Sequence, residues 1–322
     1  MAAPTGTFGT YSAIGVREDL ADVIYDISPT ETPFLSNAKR GSASQKYVEW
    51  QTDSLAAATS AGQIEGDEAT GLSGDPTVRW ANYCQIQFKV PVVSGTMRSS
   101  DTAGRADEMA YQIAKRSKEL KRDMEFTLLS GNGAVAGAFG TARKLAGVGR
   151  WIMDGANTVH CASAGFSTTA VASGAPTNDV LVTTSVSAIT EATMKSAIAL
   201  AWADGGDPSL IMCNAANKQV ISGFSGIATQ YRDNPQAGPA TIIGAADVYV
   251  SDFGTHYVVA NRFMPSGSVY FLDMDYWEVA YLRPFQTWDL AKTGDTTKKQ
   301  ILVEYTLKAL NKDASAKCDG VA

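Results

Sequence analysis

Apolar residues recur along this chain in two periods, and the changes of period mark its elements. Val16, Leu20, Val23, Ile24 and Ile27 fall on one face of a helix. Ser28-Pro29 ends that helix, because proline lacks an amide donor and disfavours helical geometry in the residue before it. Thr32-Pro33 then opens a short second turn through Phe34-Leu35, with Thr32 as the expected cap. From Lys46 to Thr52 the period drops to two, with Tyr47, Glu49 and Gln51 on one side and Val48, Trp50 and Thr52 on the other, which predicts a strand. A second extended run follows from Thr77 to Val93, carrying Val78, Trp80, Ile86, Phe88 and Val90 at mostly even spacing. Residues 54–76 between the runs are rich in Ala, Gly, Ser and Thr and poor in apolar anchors. The pattern predicts a long two-stranded excursion with a flexible tip. A ribbon of two strands is marginal alone in water, so something outside the chain is expected to hold it.

Arg105 to Ser130 reads as one long helix with a narrow stripe of Ala106, Met109, Ala110, Ile113, Leu120, Met124 and Leu128. Asp101 or Thr102 is the expected cap, Gly131-Asn132-Gly133 the expected end, and Lys121 and Glu125 an i, i+4 surface pair. At 1.5 Å per residue this helix spans roughly 40 Å, about the width of a domain. Residues 131–180 predict loops with weak strands such as Gly149–Met153. An α/β segment follows. Thr190 opens a helix carrying Met194, Ala197, Ile198 and Ala201, closed by Gly205-Gly206, and then come a strand at Leu210–Cys213 and a helix near Lys218–Phe224. Further strands are expected at Ala246–Ser251, His256–Ala260 and Ser268–Leu272, the last running on through Tyr276–Leu282. Ile301, Val303, Tyr305 and Leu307 alternate with polar residues in a final extended run, Lys299–Leu310. The fold class is therefore α+β, with no internal repeat.

Composition narrows the functions. Apolar residues make up 45% and charged residues 19% of the 322 positions, which fits a folded globular protein. The net charge of −6, with no basic tail, argues against tight wrapping of nucleic acid. No leader pattern and no apolar run near the ~20 residues of a membrane span are present, so no membrane partner is expected. Cys84, Cys161, Cys213 and Cys318 lie far apart and read as free thiols. His160 and His256 each lack a second ligand at metal spacing and read as structural. Ser225 misses the G-x-S-x-G elbow by one position, and Gly131, Gly133 and Gly137 follow a helix where a phosphate cradle needs a strand before it. Asp273, Asp275 and Glu278 are the only tight acidic cluster, and on a strand both aspartates would share a solvent face. Lys115, Arg116, Lys118, Lys121 and Arg122 alternate with Glu119, Asp123 and Glu125, which suits a solvated or partner-facing helix better than a phosphate track. No catalytic constellation emerges, and no cofactor or metal is expected.

The order of parts resembles the Hong Kong 97 type fold of tailed-phage major capsid proteins, shared with encapsulin shells. Asp22-Val23-Ile24-Tyr25-Asp26-Ile27-Ser28-Pro29-Thr30-Glu31-Thr32-Pro33-Phe34-Leu35 is similar to the opening signature of the phage SU-ten major head protein family. Ala201-Trp202-Ala203-Asp204-Gly205-Gly206-Asp207-Pro208, followed by Ile211-Met212-Cys213-Asn214, resembles its second signature. The resemblance spans nearly the whole chain. It implies an N-terminal arm over 1–43, an extended loop over 44–97 lying on a neighbouring subunit, and a peripheral domain with a spine helix over 98–184. An axial domain over 185–280, and returning strands of the peripheral domain with the tail over 281–322, complete it.

The resemblance further implies a structural subunit, not an enzyme, that forms hexamers and pentamers of an icosahedral head. Double-stranded DNA would lie inside in weak contact only, consistent with the acidic charge. Because the arm begins almost at Met1, a scaffold is expected to be a separate protein, alongside portal or decoration proteins. The expected location is the virion, after assembly in the host bacterial cytoplasm. Expected contacts between copies are Leu20 and Ile24 of the arm, Val48, Trp50, Val78 and Trp80 of the excursion, and Lys115, Arg116 and Arg122 of the long helix. Two alternatives stand beside this reading: an encapsulin-like compartment, and a metal-dependent enzyme using Asp273, Asp275 and Glu278.

Overall fold

The computed structural model describes residues 30–60, 62–68, 71, 74, 76–100, 107–153, 157–161, 173–177, 186–224 and 247–321. The expected arm helix with Leu20 and Ile24, the caps Asp101 and Thr102, and Ser225 lie outside the described residues. In order, the elements are α1 (Pro33–Asn37), β1 (Lys39–Ser42), β2 (Tyr47–Thr52), β3 (Val78–Tyr83), β4 (Gln85–Lys89), β5 (Val92–Ser94), α2 (Gly95–Ser99) and α3 (Glu108–Leu129). Next come α4 (Val148–Met153), β6 (Thr158–His160), α5 (Glu191–Ala203), β7 (Leu210–Cys213), α6 (Ala215–Ser222), β8 (Val248–Ser251) and β9 (Gly254–Ala260). The last are β10 (Ser268–Leu272), β11 (Trp277–Asp289), β12 (Thr296–Ala309) and β13 (Ala316–Asp319).

One sheet runs β1-β11-β12-β4, with β5 also on β12; a second runs β6-β13-β10-β7-β9-β8; β2 and β3 form a separate ribbon. Leu120, Met124, Leu128 and Leu129 of α3 are buried in one cluster with Ile301, Val303, Tyr305 and Leu307 of β12. The second sheet is covered on both faces. Leu210 and Met212 of β7 face the α3 side, while Ile211 and Cys213 join Met194, Ala197, Ile198 and Ala201 of α5. Burial on both faces explains why this strand is apolar at every position.

Local chemistry fixes several ends. Thr190 caps α5 in a reciprocal box with Thr193, and Gly205 then turns the chain at φ 84°, a left-handed geometry that favours glycine. Beside it, a Cβ on Gly206 would sit 2.2 Å from the carbonyl oxygen of Ala314. Asp107 caps α3 by accepting from the Met109 amide at 3.0 Å. The described helix is therefore 22 residues long, about 33 Å, and begins later than Arg105. It ends where Ser130 turns to extended backbone, ahead of the expected glycines, and Ala110 of the predicted stripe is exposed.

Other expectations are corrected. Val148–Met153 is a helix, not a strand: the Trp151 amide donates to Gly147 O at 3.1 Å, the i to i−4 bond of a helical turn, and Arg150, Trp151 and Ile152 are all buried. β10 and β11 are not one strand. A 3-10 turn at Met274–Tyr276 separates them and carries the chain from the second sheet to the first. β6 and β13, far apart in sequence, are neighbouring strands of the second sheet. Glu125 does not pair with Lys121. It is buried, and its carboxylate accepts from the amides of Phe34 at 2.8 Å and Leu35 at 2.9 Å and from Asn261 Nδ2 at 2.6 Å. Thr32 has no side-chain cap bond to α1, and Glu125 satisfies the free amides of that helix start instead.

Candidate assembly surface

The excursion begins as a hairpin in which Tyr47 pairs with Tyr83, Trp50 with Trp80, and Thr52 with Val78. Its base is held by its own chain. Trp50 and Trp80 pack on Trp151 with ring centroids 5.3 and 6.0 Å away, and Trp80 Nε1 donates to Thr52 Oγ1 at 2.9 Å. Lys312 Nζ stands 4.9 Å over the Trp80 ring, which is only 7% exposed. Asn82 is fully buried, donating to Ala146 O and Leu307 O and accepting from the Ala146 amide. The expectation that nothing in this chain could hold the ribbon is therefore corrected. Trp80 is a core residue, and Trp50 and Val48 are half-buried on the same inward side. Of the predicted contacts here, Val78 is exposed. Beyond it, among the described residues, the uncovered large apolar side chains are Leu55, 99% exposed, and Ile64, 78% exposed, which the sequence reading passed over.

On α3, Lys115 is exposed, as a partner-facing residue must be. Arg116 is paired with Glu119 at 2.7 Å, and Arg122 lies 5.8 Å over the ring of Phe263, so both are engaged within the chain. Exposed Phe126 lies along the same stripe, eleven residues after Lys115 and three turns on.

A second surface escaped the sequence reading. β4 presents its polar residues inward: Gln87 Nε2 donates to Thr127 Oγ1 of α3 at 2.9 Å, and Lys89 pairs with Asp123 at 2.6 Å. Its apolar residues, Ile86 and Phe88, face away from α3, and Phe88 is 56% exposed. Phe88 stands opposite Leu302 of β12, itself opposite Gln286 of β11, and exposed Trp288 lies two residues further along that strand. This polarity is the reverse of a strand that closes its own core. Large apolar side chains left in water on one sheet face, here interspersed with Gln286, Gln300 and Glu304, suit an interaction surface. The signal was present in the sequence, as Ile86 and Phe88 between Gln85, Gln87 and Lys89, but alternation alone does not say which face is inward.

The acidic cluster does not converge. Asp273 is buried and accepts from the amides of Asp275 and Asp207, Asp275 is exposed and pairs with Lys39, and Glu278 pairs with Lys308 at 2.7 Å. The 3-10 turn, not a strand, sets these three directions apart. Among the described residues no group of three or more His, Cys, Asp or Glu could hold a metal ion, which corrects the metal-enzyme alternative. No helix among them is long and apolar enough to cross a membrane. His256 is buried between Pro208 O and Ser251 Oγ, the latter at 2.6 Å, and all four cysteines are free. Burial pushes the thiols of Cys84 and Cys213 up to about 11. A hydrogen bond from the Cys318 thiol draws that of half-exposed Cys161 down to about 7.

Residues 3–322 match the family model described as SU10 major capsid protein. A "Major capsid protein" of Escherichia phage Phieco32 is 30% identical over 351 residues, covering 98% of this chain and 97% of that one. Among solved structures, the capsid asymmetric unit of cyanophage A-1(L) has a TM-score of 0.66 at 14% identity, over 97% of this chain and 98% of that one. The capsid of an empty GTA particle has a TM-score of 0.61 at 12% identity, with 98% of each chain covered. At such identities these structures speak for the fold, and the fold they share is of the Hong Kong 97 type.

Proposed function

Because the chain belongs to the SU10 major capsid protein family, as a structural subunit of a phage virion whose copies assemble into the head shell, we propose how those copies meet and what they enclose. The surface that joins copies is the part of the chain with apolar area and no cover of its own. It comprises the excursion beyond Val78, with Leu55 and Ile64, the sheet face of Ile86, Phe88 and Trp288, and the α3 stripe around Lys115 and Phe126. A second copy is the natural cover, since the family works by self-assembly and each copy brings both an arm-like projection and an open face. Such head-to-tail contacts close into rings when the rotation allows, which fits hexamers and pentamers. The rings enclose double-stranded DNA with weak contact, in keeping with a net charge of −6. Portal or decoration proteins are further partners of the shell, and assembly takes place in the host cytoplasm.

The observation that carries this reading is the reversed polarity of β4 beside an excursion whose described apolar residues Leu55 and Ile64 stand exposed. Deleting residues 54–76 is expected to leave a folded, soluble subunit that forms no shells under negative-stain microscopy; normal particles would remove the role given to the excursion. Nuclease-protected DNA in purified particles separates a DNA-filled head from an encapsulin-like compartment, whose particles would yield none.

A further inference from the structure

The excursion ends in a charged tip of one sign. From Asp53 to Pro76 the chain carries Asp53, Glu65, Asp67, Glu68 and Asp75 and no lysine or arginine. A tight turn gathers three of these acids, with the Asp67 amide donating to Ile64 O at 3.1 Å and Gly66 at φ 85°. The tip therefore presents one apolar side chain, Ile64, flanked by Glu65, Asp67 and Glu68.

A cleft of about 360 Å³ offers the opposite character where α2, the start of α3 and the β11–β12 turn meet. Arg98, Lys292, Lys298 and Lys299 line it, with Met109 and Leu290 as apolar wall and Asp107 and Asp289 as the acids present. Four bases against two acids leave it net positive. Among the described residues only Lys299 of the four bases meets a carboxylate, Asp289 at 3.1 Å; Lys298 and Arg98 donate to the hydroxyls of Thr293 and Thr297. The other basic surface, on α3, is weaker ground, since Arg116 there is already paired and the concavity beside it, about 320 Å³, offers two bases, Lys121 and Arg40, where the cleft offers four.

We infer that this cleft is the seat of the acidic tip of a second copy. The inference rests on the assembly reading above and names the place where the excursion lands. The occupant is another copy because the tip of the same chain is undocked, with Ile64 78% exposed. Apolar contact of Ile64 with Leu290 supplies burial, and the surrounding charges fix register and exclude wrong docking.

Charge reversal with rescue tests this on the full chain. Lys292→Glu with Lys298→Glu, or Glu65→Lys with Asp67→Lys and Glu68→Lys, should each cut the assembled fraction at least about tenfold, the effect of roughly 1.4 kcal/mol per contact. Combining the two sets should restore particles to near the parent yield. Raising salt from about 0.1 to 1 M should weaken the parent shells and shrink the difference between variants. Unaffected single-set variants, or a combined variant that stays unassembled, would overturn the cleft. If particles persist in these variants while deletion of 54–76 still abolishes them, the cleft is wrong and the excursion's role stands. Should a variant fail to fold, zero-length carbodiimide coupling of unaltered shells decides the matter. Interchain links from Glu65, Asp67 or Glu68 to Lys292, Lys298 or Lys299 are expected, and their absence, or links within one chain only, contradicts the inference.

Discussion

At the scale of single residues, Glu125 does the least expected work. It lies four residues from the end of a charged helix, yet its carboxylate is buried and tethers the first turn of α1 through two backbone amides. Glu125→Ala should cost about 3 kcal/mol in thermal unfolding of the unassembled subunit, because it strands buried donors. Burial raises the Glu125 pKa above its ordinary 4.5, against the opposing pull of its amide donors. A raised folded pKa means the folded state holds the proton more tightly, so this contribution is full below about 4.5 and is lost as pH rises through the raised value. Glu125→Gln should therefore flatten stability against pH just above that point, while an unchanged slope would show that the group does not titrate there. The cysteines give a second residue-scale expectation. Cys161, half-exposed and drawn down to about 7, should be the first thiol alkylated near neutral pH, well ahead of buried Cys84 and Cys213 at about 11. Peptide mapping after brief maleimide treatment checks the order.

At the scale of elements, two aromatic positions separate folding from assembly. Trp80 is a core residue wedged on Trp151, so Trp80→Ala should cost about 3–5 kcal/mol and loosen the ribbon toward proteases. Phe88 faces solvent in the single chain. Phe88→Asp should leave subunit stability within about 0.5 kcal/mol yet prevent particles, since it would bury a charge only on assembly. A Phe88→Asp subunit that unfolds as readily as Trp80→Ala would mean the face is closed within the chain. Elements whose local chemistry suffices were legible in the sequence. Thr190 and Gly205 bracket α5, and the apolar run Leu210–Cys213 is β7 to the residue. What was not legible depends on distant partners. α4 is helical because Trp151 is needed under a ribbon some seventy residues earlier, and Glu125 points inward because α1 brings it amides ninety residues away in the chain. The assembly surface was hidden for the same reason. Alternation located β4, but only α3 with its Thr127 and Asp123 shows that the polar face is the inner one.

At the scale of the whole molecule, the chain is two sheets sharing a core around α3, with its least covered parts projecting from it. The second sheet takes strands from residue 158 to residue 319, so distant parts of the sequence share it. Copies of a capsid subunit cohere through the surface buried between them. The most direct measurement is the size and form of the purified full-length chain, by light scattering on the eluting peak and electron microscopy of the same fraction. A capsid subunit gives closed icosahedral particles, or discrete rings on the way to them. A single species of 34.0 kDa at every concentration, under conditions that keep it folded, would contradict the assignment.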